Sequence, residues 1–489
     1  MTVGEYSWSA ADQFIGRADD LARLDMWWNR PGAEPINLYG RRRVGKSWLF
    51  RRLAHGKRAV LLVAERTTPA QQLAKLAEQL EPHLTFRPEI RDVGTLFKIL
   101  YQLASTEKLL VVVDEFPYLW GTSPSGISDA LSSVQAAMEQ FRDDSKIKLI
   151  LCGSAVTQME SLQSERSPLH GRLQPFELRP LDFPEARAFM PALTPIEQFT
   201  RFSVAGGMPR YLSTLCAGSP GTFAAVLARE VVDRNSPLFN EPLAVLQAEV
   251  REPAVYLAIL DALASNPADL GALSAKTGTE GSRLSPYLEK LEVMGLIRRR
   301  SPVGAGPKAR SGQFYCDDDF IRFWFRFVHP YQADLEAGSD ATSHAKRHVL
   351  PYLTEHTSLS FENAFRRWVR QEYGEAGQVG AWWGPALNAQ RRAKLRFTEE
   401  VDAVGVKHKS VVVVGEAKWT NKLMPLDVLT DLLKYKVPAM EQAGFRLPAD
   451  GLRIVLASRS GFTAALESSA HDDPRIALVT AERLLQDVD

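Results

Sequence analysis

The chain has 489 residues, of which 45% are hydrophobic and 24% charged, and its formal net charge is +1. This composition argues against a disordered chain, because the apolar content can fill sizeable cores, and the charge gives no global attraction to nucleic acid. The three cysteines lie far apart without a CxxC pair, so neither a zinc cluster nor a disulfide framework is indicated, and a reducing cytoplasm is the expected location. The N-terminus shows no signal-peptide pattern and no apolar run reaches bilayer length, so no membrane contact is expected.

The first part of the chain predicts an α/β domain with a parallel sheet. Short apolar runs alternate with helical stretches from residue 35 to about residue 181, as in sheets that are covered by helices. The strand candidates are residues 36–39, 59–64, 109–113 and 149–152. A mostly helical stretch follows to about residue 245 and is expected to form a lid on this domain.

A phosphate-binding loop follows the first strand candidate. Residues 40–47 read GRRRVGKS and match the pattern GxxxxGK[ST] between a strand and a helix. Glycines in such a loop let backbone N–H groups wrap phosphates at a helix N-terminus, while the lysine reaches the terminal phosphates and the serine hydroxyl binds Mg²⁺. The residues expected to bind ATP here are Gly40, Arg43, Gly45, Lys46 and Ser47.

An acidic pair ends the apolar run that starts at Leu109. Asp114 and Glu115 are expected at the sheet edge where ligands bind open α/β sheets. Asp114 would hold the magnesium ion through water, and Glu115 would polarise the water that attacks the γ-phosphate. Adjacent acids after an apolar run are also typical of a solvated turn, but the preceding loop favours the catalytic interpretation.

Two further polar residues are candidates for contact with the γ-phosphate. Ser154 follows the fourth strand candidate and can hydrogen-bond this group. Arg172 precedes another strand candidate, residues 176–178, where a neighbouring subunit or a moving lid could bring it to ATP. A surface arginine that only pairs with a local carboxylate is the alternative for Arg172.

Residues 14–245 resemble the AAA+ and STAND-like ATPases, in particular the archaeal-type ATPase family. The resemblance implies an AAA+-like sheet with a helical lid, in which residues 14–17 lie against the adenine. It also implies that Ser154 is sensor 1, that Arg172 is an arginine finger and that Arg210, in the run GGMPR, is sensor 2. The three arginines at 41–43 depart from the small residues of many AAA+ loops.

The following segment predicts a winged helix. Residues 255–315 show three helical patterns and then a polar hairpin rich in Gly and Pro. Residues 281–291 are the candidate recognition helix, and the basic run 298–300, with Lys308 and Arg310, can neutralise phosphates. The same fold also serves as a packing module, so DNA contact and a purely structural role are both open.

An aromatic stripe follows the hairpin. Phe320, Phe323, Trp324 and Phe327 recur at helical spacing. A stripe of this kind is predicted to be core, since large aromatic residues are mostly buried and only rarely form a base-stacking surface.

A second acidic pattern lies near the C-terminus, with Glu362 in a predicted helix, Asp402 on one strand and Glu416 on the next. Glu416 and Lys418 share a face, because residues two apart on a strand point the same way. A hairpin that turns through an odd number of residues centred on Lys409 would place Asp402 opposite Glu416, with Cβ atoms about 5 Å apart. Two such carboxylates can share a divalent cation, and Lys418 can orient or activate a water for attack on a phosphodiester.

This arrangement resembles the PD-(D/E)XK nuclease superfamily, and the order of ATPase, winged helix and nuclease-like unit resembles the same archaeal-type ATPases. By that resemblance Glu362, Asp402 and Glu416 are metal ligands and Lys418 is the catalytic lysine. Val401 stands where the motif has a proline. A short ExK run also occurs by chance on purely structural strands.

The sequence therefore predicts four domains: an ATPase core at residues 1–180, a lid at 181–245, a winged helix at 246–335 and a nuclease-like unit at 336–489. The leading function is an ATPase that uses ATP and Mg²⁺ and is coupled to DNA binding and metal-dependent DNA cleavage. The alternative is a STAND-type nucleotide switch whose C-terminal module binds without cutting. Protein remodelling by an AAA+ ring ranks last, because no substrate-threading loop is evident. A homo-oligomer is expected if Arg172 acts in trans.

Overall fold

The structure is a computed structural model that describes residues 3–32, 34–84, 86–120, 124–216, 221–250, 252–306, 311–387, 397–448 and 451–487. The chain divides into two compact units. The first consists of Met1–Ala188, Gly207–Arg210 and Ala244–Arg251, and the second of Phe189–Gly206, Tyr211–Leu243 and Glu252–Asp489. Most of the predicted lid, the winged-helix segment and the C-terminal segment thus belong to one unit, and the finer boundaries at residues 180, 245 and 335 stay predictions.

The strands of both units are β1 (Ile36–Tyr39), β2 (Ala59–Val63), β3 (Leu109–Asp114), β4 (Ile147–Gly153), β5 (Gln174–Glu177), β6 (Ile297–Arg300), β7 (Gln313–Cys316), β8 (Gln378–Pro385), β9 (Thr398–Lys407), β10 (Ser410–Lys418), β11 (Arg453–Ser458) and β12 (Ile476–Thr480).

The α-helices are α1 (Ala18–Asn29), α2 (Lys46–Ala54), α3 (Pro69–Leu80), α4 (Val93–Leu103), α5 (Pro124–Phe141), α6 (Val156–Ser161), α7 (Phe183–Ala186), α8 (Pro195–Ala205), α9 (Pro209–Leu215), α10 (Phe223–Leu227), α11 (Glu241–Glu249), α12 (Ala254–Ala264), α13 (Leu270–Thr277), α14 (Gly281–Val293), α15 (Asp319–Phe327), α16 (Gln332–Glu336), α17 (Ala341–His344), α18 (Leu353–Glu372), α19 (Leu426–Asp431), α20 (Val437–Gln442), α21 (Ala464–Asp472) and α22 (Ala481–Asp487).

The first unit is built on a parallel five-stranded sheet in the order β2-β3-β4-β1-β5. Every residue of β3 is buried, as expected for a strand of a parallel sheet with helices packed on it. The apolar core beside it includes Phe97, Val111 and Leu149. The strand predictions of this region are confirmed to within two residues at either end. Because the strands are parallel, their carboxyl ends meet at one edge of the sheet, which collects the predicted nucleotide-binding residues.

In the second unit, α12, α13 and α14 precede the antiparallel pair β6 and β7. An isolated bridge also joins Ala268 to Phe314. Three helices followed by a hairpin is the order that the winged-helix prediction requires. The predicted wing residues Lys308 and Arg310 lie outside the described residues.

Helix α15 confirms that the aromatic stripe is core. Phe320, Phe323, Trp324 and Phe327 are at most 3% exposed. The indole N–H of Trp324 donates a hydrogen bond to the Phe239 carbonyl at 2.6 Å, which satisfies its one polar atom. These rings therefore stabilise the second unit and offer no surface on which a base could stack.

A second five-stranded sheet has the order β12-β11-β10-β9-β8. Strands β8, β9 and β10 pair antiparallel, whereas β10, β11 and β12 pair parallel. The sequence pattern predicts β9 and β10, but β8, β11 and β12 are found only in the structure, because short apolar runs do not distinguish a strand from a buried helix segment. The helical segment that follows β10 is interrupted, since α19 ends at Asp431 and a π-helical turn, Leu432–Lys436, leads into α20.

The turn between β9 and β10 corrects the predicted hairpin. The turn has two central residues, His408 and Lys409, both with positive φ, where an odd number was expected. A bulge between Val411 and Val413 then shifts the register by one residue and pairs Gly415 with Ala403. Extended by one residue, that register would place Glu416 opposite Asp402, as the sequence predicts, although the turn differs from the predicted one.

Among the described helices, none combines the length and the apolar character needed to cross a lipid bilayer.

Candidate functional site

The loop between β1 and α2 is packed too tightly to accept a larger residue at its first position. A Cβ added to Gly40 would lie 2.3 Å from the carbonyl oxygen of Leu178, so only glycine fits. The loop leads directly into α2, which begins at Lys46. The local sequence thus presents backbone N–H groups at a helix N-terminus, where phosphates bind.

Lys46 lies inside this loop and is 6% exposed. Its Nζ donates to the carbonyls of Gly40 at 2.6 Å and Arg41 at 3.0 Å. Burial lowers the pKa of Lys46, while Cys152, Glu115 and Asp114 act in the opposite direction. The ammonium is therefore held at the point where the terminal phosphates of a bound nucleotide are expected, without a carboxylate at hydrogen-bonding distance in the described residues.

Two oxygen donors meet beside the loop. The Ser47 hydroxyl donates to Oδ2 of Asp114 at 3.3 Å. A serine hydroxyl and a carboxylate are hard oxygen ligands of the kind that Mg²⁺ prefers. The donor set at this edge fits the ion that the sequence predicts.

Strand β4 lies between β1 and β3, which brings Ser154 close to the acidic pair. Its hydroxyl lies 2.8 Å from Oε1 and 2.9 Å from Oε2 of Glu115. Glu115 has φ of 53°, an unusual conformation for a residue with a side chain, and such strain is concentrated at functional sites. The structure thus adds a partner for Glu115 that the sequence pattern did not indicate.

Arg17 is a second residue whose contact was not predicted. Its side chain is buried, and Nη2 donates to the Val44 carbonyl at 2.8 Å, inside the phosphate-binding loop. Its backbone N–H donates to Oε1 of Glu185 at 2.8 Å, and its Nη1 donates to Asp20 at 3.2 Å. Arg17 thus anchors the segment 14–17 to the loop, while Ile15 in that segment is 36% exposed.

The segment that carries Arg210 also packs on the loop. A Cβ added to Gly45 would lie 3.6 Å from Cγ of Pro209, the residue before Arg210. Arg210 is exposed at this position. Of the loop arginines, Arg41 is buried, whereas Arg42 and Arg43 are exposed.

Arg172 lies at the opposite edge of the same sheet. It precedes β5, whose Gln174 pairs with Ile36 at the start of β1, whereas the phosphate-binding loop follows the end of β1. Its guanidinium pairs with Glu139 at 2.6 Å. Arg172 therefore cannot reach a nucleotide in the loop of its own chain, and its role as an arginine finger in trans stays a prediction.

The second candidate site is formed by neighbouring strands of the C-terminal sheet. Nζ of Lys418 lies 3.1 Å from Oδ2 of Asp402 and 2.8 Å from Oε2 of Glu416. The backbone N–H of Ala417 also donates to Oδ2 of Asp402 at 2.9 Å. Burial acts to raise the pKa of Asp402, but Lys418 and this N–H hold that pKa below its ordinary value. Burial and Asp402 instead raise the pKa of Glu416.

Lys436 completes this cluster and is absent from the sequence prediction. Its Nζ lies 2.5 Å from Oε1 of Glu416, and its side chain is 8% exposed. The π-helical turn that carries Lys436 contacts β9. A lone lysine in a helical run gives no pattern that would single it out from solvent-facing lysines.

Helix α18 holds Glu362 next to the two strands. A Cβ added to Gly415 would lie 2.6 Å from Cζ of Phe365, so glycine allows the helix to approach β10 closely. Burial and the nearby carboxylate of Asp402 raise the pKa of Glu362 to about 8. Arg366 lies 3.9 Å from Glu362 and donates to the backbone carbonyl of Asp402 at 2.7 Å, which ties the helix to β9.

The three predicted carboxylates do not form a ready metal cluster. Within the described ranges, no three carboxylate, imidazole or thiol side chains are arranged to hold a metal ion. The Lys418 ammonium contacts both Asp402 and Glu416, where a shared cation would have to bind. The carboxylate oxygens suit Mg²⁺ or Mn²⁺ chemically, but such an ion must first displace this ammonium.

The basic strand β6 is engaged in local pairs. Arg298 lies 2.7 Å and Arg300 3.5 Å from the carboxylate of Asp317. Arg300 also donates to Asn363 at 2.7 Å. The Arg298 side chain is 63% exposed and that of Arg300 is 23% exposed, so Arg298 is the one of these two arginines that is accessible to a phosphate.

Two sequence families match parts of the chain. Residues 14–215 match an ATPase domain predominantly from Archaea. Residues 324–429 match a family described as "Archaea bacterial proteins of unknown function". The match over residues 14–215 agrees with the interpretation of the loop and the acidic pair, while the second family names no activity for the C-terminal part.

One relative and two solved structures illustrate how far the likeness extends. An uncharacterized protein of Methanocaldococcus jannaschii is 27% identical over 414 residues, which are 83% of this chain and 88% of the relative. The Walker-type ATPase of Pyrococcus abyssi is 19% identical with a TM-score of 0.49, over 67% of this chain and all of that structure. The ORC2 protein of Aeropyrum pernix is 15% identical with a TM-score of 0.41, over 68% of this chain and 99% of that structure. At these TM-scores the structures add nothing to what the geometry shows.

Proposed function

We propose that this chain binds ATP with Mg²⁺ at residues 40–47 and hydrolyses it. The observation that carries the proposal is the meeting of four side chains at one sheet edge: Lys46, Ser47, Asp114 and Glu115. A buried ammonium, two hard oxygen ligands and a carboxylate that can accept a proton are the groups that phosphoryl transfer to water needs.

Each side chain has a distinct role in this proposal. Lys46 exchanges its two loop carbonyls for the terminal phosphates. Ser47 and Asp114 hold the magnesium ion, which neutralises charge on the phosphates. Glu115 orients the attacking water and accepts its proton. Ser154 holds the Glu115 carboxylate at 2.8 Å and can release it when a γ-phosphate offers the hydroxyl a better acceptor.

The test is a pair of variants with a matched lysine control. Lys46→Ala should lose ATP binding in equilibrium titrations, whereas Lys57→Ala, an outlying lysine that pairs with Asp25, should bind ATP as the parent does. Glu115→Gln should bind ATP and fail to turn it over. Hydrolysis at the parent rate in both Lys46→Ala and Glu115→Gln would show that catalysis lies elsewhere.

A second candidate function is metal-dependent cleavage of DNA by the C-terminal unit. The observation that favours it is the cluster of Asp402, Glu416 and Lys418 on adjacent strands, with Glu362 on the helix above. In this proposal Asp402, Glu416 and Glu362 would hold a divalent cation once Lys418 has moved away; the cation would supply activation of a water, and Lys418 would contact the scissile phosphate. The order of α12, α13, α14 and the β6–β7 hairpin supports DNA contact by a winged helix.

Cleavage is tested with double- and single-stranded DNA in Mn²⁺ or Mg²⁺. Asp402→Ala and Lys418→Ala should abolish cutting while ATP binding survives, and Asp472→Ala, which removes an exposed aspartate from the end of α21, should cut as the parent does. Cutting that persists in both Asp402→Ala and Lys418→Ala would exclude this site. ATP binding with no cutting under any metal would favour the nucleotide switch with a C-terminal binding module.

A further inference from the structure

A large cavity lies at the edge of the first sheet opposite the phosphate-binding loop. Its volume is about 580 Å³. Lys108 lines it directly before β3, and Lys148 lines it within the first residues of β4. Pro35 lines it directly before β1, whose far end leads into the phosphate-binding loop. The cavity is therefore separate from the nucleotide site.

The lining of this cavity is strongly basic. Six cationic side chains line it against two acidic ones, Glu34 and Glu139. Glu139 is already paired with Arg172 at 2.6 Å. The six cationic residues are Arg30, Lys108, Arg142, Lys146, Lys148 and Arg172.

Within the described residues, most of these cations have no carboxylate counter-ion. In the part of the chain that the structure describes, Arg30, Lys108 and Arg142 form no ion pair with a carboxylate. Lys146 donates to the Thr106 carbonyl at 2.8 Å, which offers a dipole and no negative charge. An uncompensated group of like charges is costly, and an anion that enters the cavity would relieve this cost.

Lys148 is the most deeply placed of the group, with 5% exposure. Its Nζ donates to the carbonyls of Trp27, at 3.1 Å, and Arg30. Burial, together with Lys108 and Arg30, lowers the pKa of Lys148 to about 8. Three cationic groups from separate segments thus converge closely enough to affect one another.

Part of the remaining wall is apolar. Tyr101 and Met138 are 4% and 6% exposed and line the cavity together with Ile147. Cavities of roughly 300–1,000 Å³ with apolar walls and a few charged groups are typical of small-molecule sites. The combination of size, apolar wall and unpaired cations indicates a small anion with several charges.

We propose that this cavity binds a small phosphorylated molecule, whose phosphate is held by Lys108, Arg142 and Lys148. The proposal stands apart from ATP hydrolysis, because the cavity and the phosphate-binding loop lie at opposite edges of the sheet. Inorganic pyrophosphate and adenosine 5′-monophosphate are suitable probes, since the first carries only phosphate and the second adds a sugar and a flat aromatic ring.

The experiment is calorimetric titration of each probe into the full-length Lys46→Ala protein, in which the phosphate-binding loop lacks its ammonium group. At least one probe should bind. Lys108→Gln and Arg142→Gln, both in solvent-accessible positions, should each weaken binding about tenfold, as expected for a lost charge-assisted hydrogen bond. Lys75→Met, an exposed lysine that pairs with Glu65, removes the same charge and should leave the affinity unchanged.

The pH dependence adds a readout that surface charge alone would not give. Monophosphate esters keep a constant charge above their second pKa of about 6. Adenosine 5′-monophosphate should therefore bind more weakly as the pH rises through about 8, where Lys148 loses its proton, and Lys148→Met should remove this dependence. The proposal is overturned if neither probe binds at millimolar concentration, if Lys108→Gln and Arg142→Gln bind as well as their background, or if only single-stranded DNA binds.

Discussion

Lys436 offers the sharpest test of how the C-terminal cluster is held together. Lys436→Met keeps the length of the side chain and removes the ammonium that lies 2.5 Å from Oε1 of Glu416. Glu416 is 1% exposed, so water cannot replace the lost partner without opening the sheet. Removing one member of a buried ion pair costs about 3–5 kcal/mol.

The expected cost is somewhat smaller here. Lys418 remains 2.8 Å from the other carboxylate oxygen of Glu416 and keeps part of the charge compensated. Glu416 can also take up a proton, because burial already raises its pKa. We therefore expect Lys436→Met to lower the free energy of unfolding of this unit by about 2–4 kcal/mol at pH 8. The loss should become smaller as the pH falls, because the unpaired carboxyl then takes up a proton.

The assay is urea unfolding followed by tryptophan fluorescence, which includes the buried Trp419 beside the cluster. The stated loss corresponds to a midpoint lower by roughly 1–2 M urea. Lys434→Met removes an exposed lysine from the same turn and should shift the midpoint little. The double variant Glu416→Gln/Lys436→Met should recover more than half of the loss, because no buried charge remains unpaired. A shift for Lys436→Met no larger than that for Lys434→Met would refute the reasoning.

Three further outcomes follow from particular contacts. Ser154→Ala should lower the rate of ATP hydrolysis severalfold with little change in ATP affinity, because it frees Glu115; a changed affinity with an unchanged rate would contradict this. Glu362 has a folded-state pKa of about 8, above its ordinary value, so its contribution to stability is complete in acid and is lost as the pH rises through 8. Glu362→Gln should accordingly flatten the pH dependence of the urea midpoint, and an unaltered profile would show that another group titrates. Gly40→Ala should abolish ATP binding, since its Cβ would lie 2.3 Å from the Leu178 carbonyl; binding at parent affinity would mean that the backbone at Leu178, directly after β5, can move away.

The positions of the proposed nucleotide-binding residues at one edge of the sheet were largely predictable from the sequence. The pattern of residues 40–47 and the end of the apolar run at Asp114 are local signals, and their positions on parallel strands bring them to one edge by geometry alone. The sequence did not predict the hydrogen-bond partners of Glu115 or of the loop. Ser154 binds Glu115, and Arg17 binds the loop at Val44, through contacts between segments that no periodic pattern connects.

The C-terminal cluster depended more strongly on tertiary structure. The sequence pattern was enough to predict that Asp402 lies on one strand and that Glu416 and Lys418 share a face of the next strand. Their register was not, because a two-residue turn alone would misalign the carboxylates, and the bulge before Val413 restores the pairing. Lys436 joins the cluster only because a π-helical turn of a distant segment contacts β9.

Sequence by itself thus determined the strands of the first sheet, the phosphate-binding loop and the identity of the acidic groups, because these features are encoded within a few consecutive residues. Tertiary structure decided which charges meet. It placed Arg172 beside Glu139 at the far edge of the sheet, put Lys418 between two carboxylates and gathered the cations around Lys148. These contacts between charged side chains join chain segments that are far apart in sequence. They form only when the whole unit packs and buries the side chains.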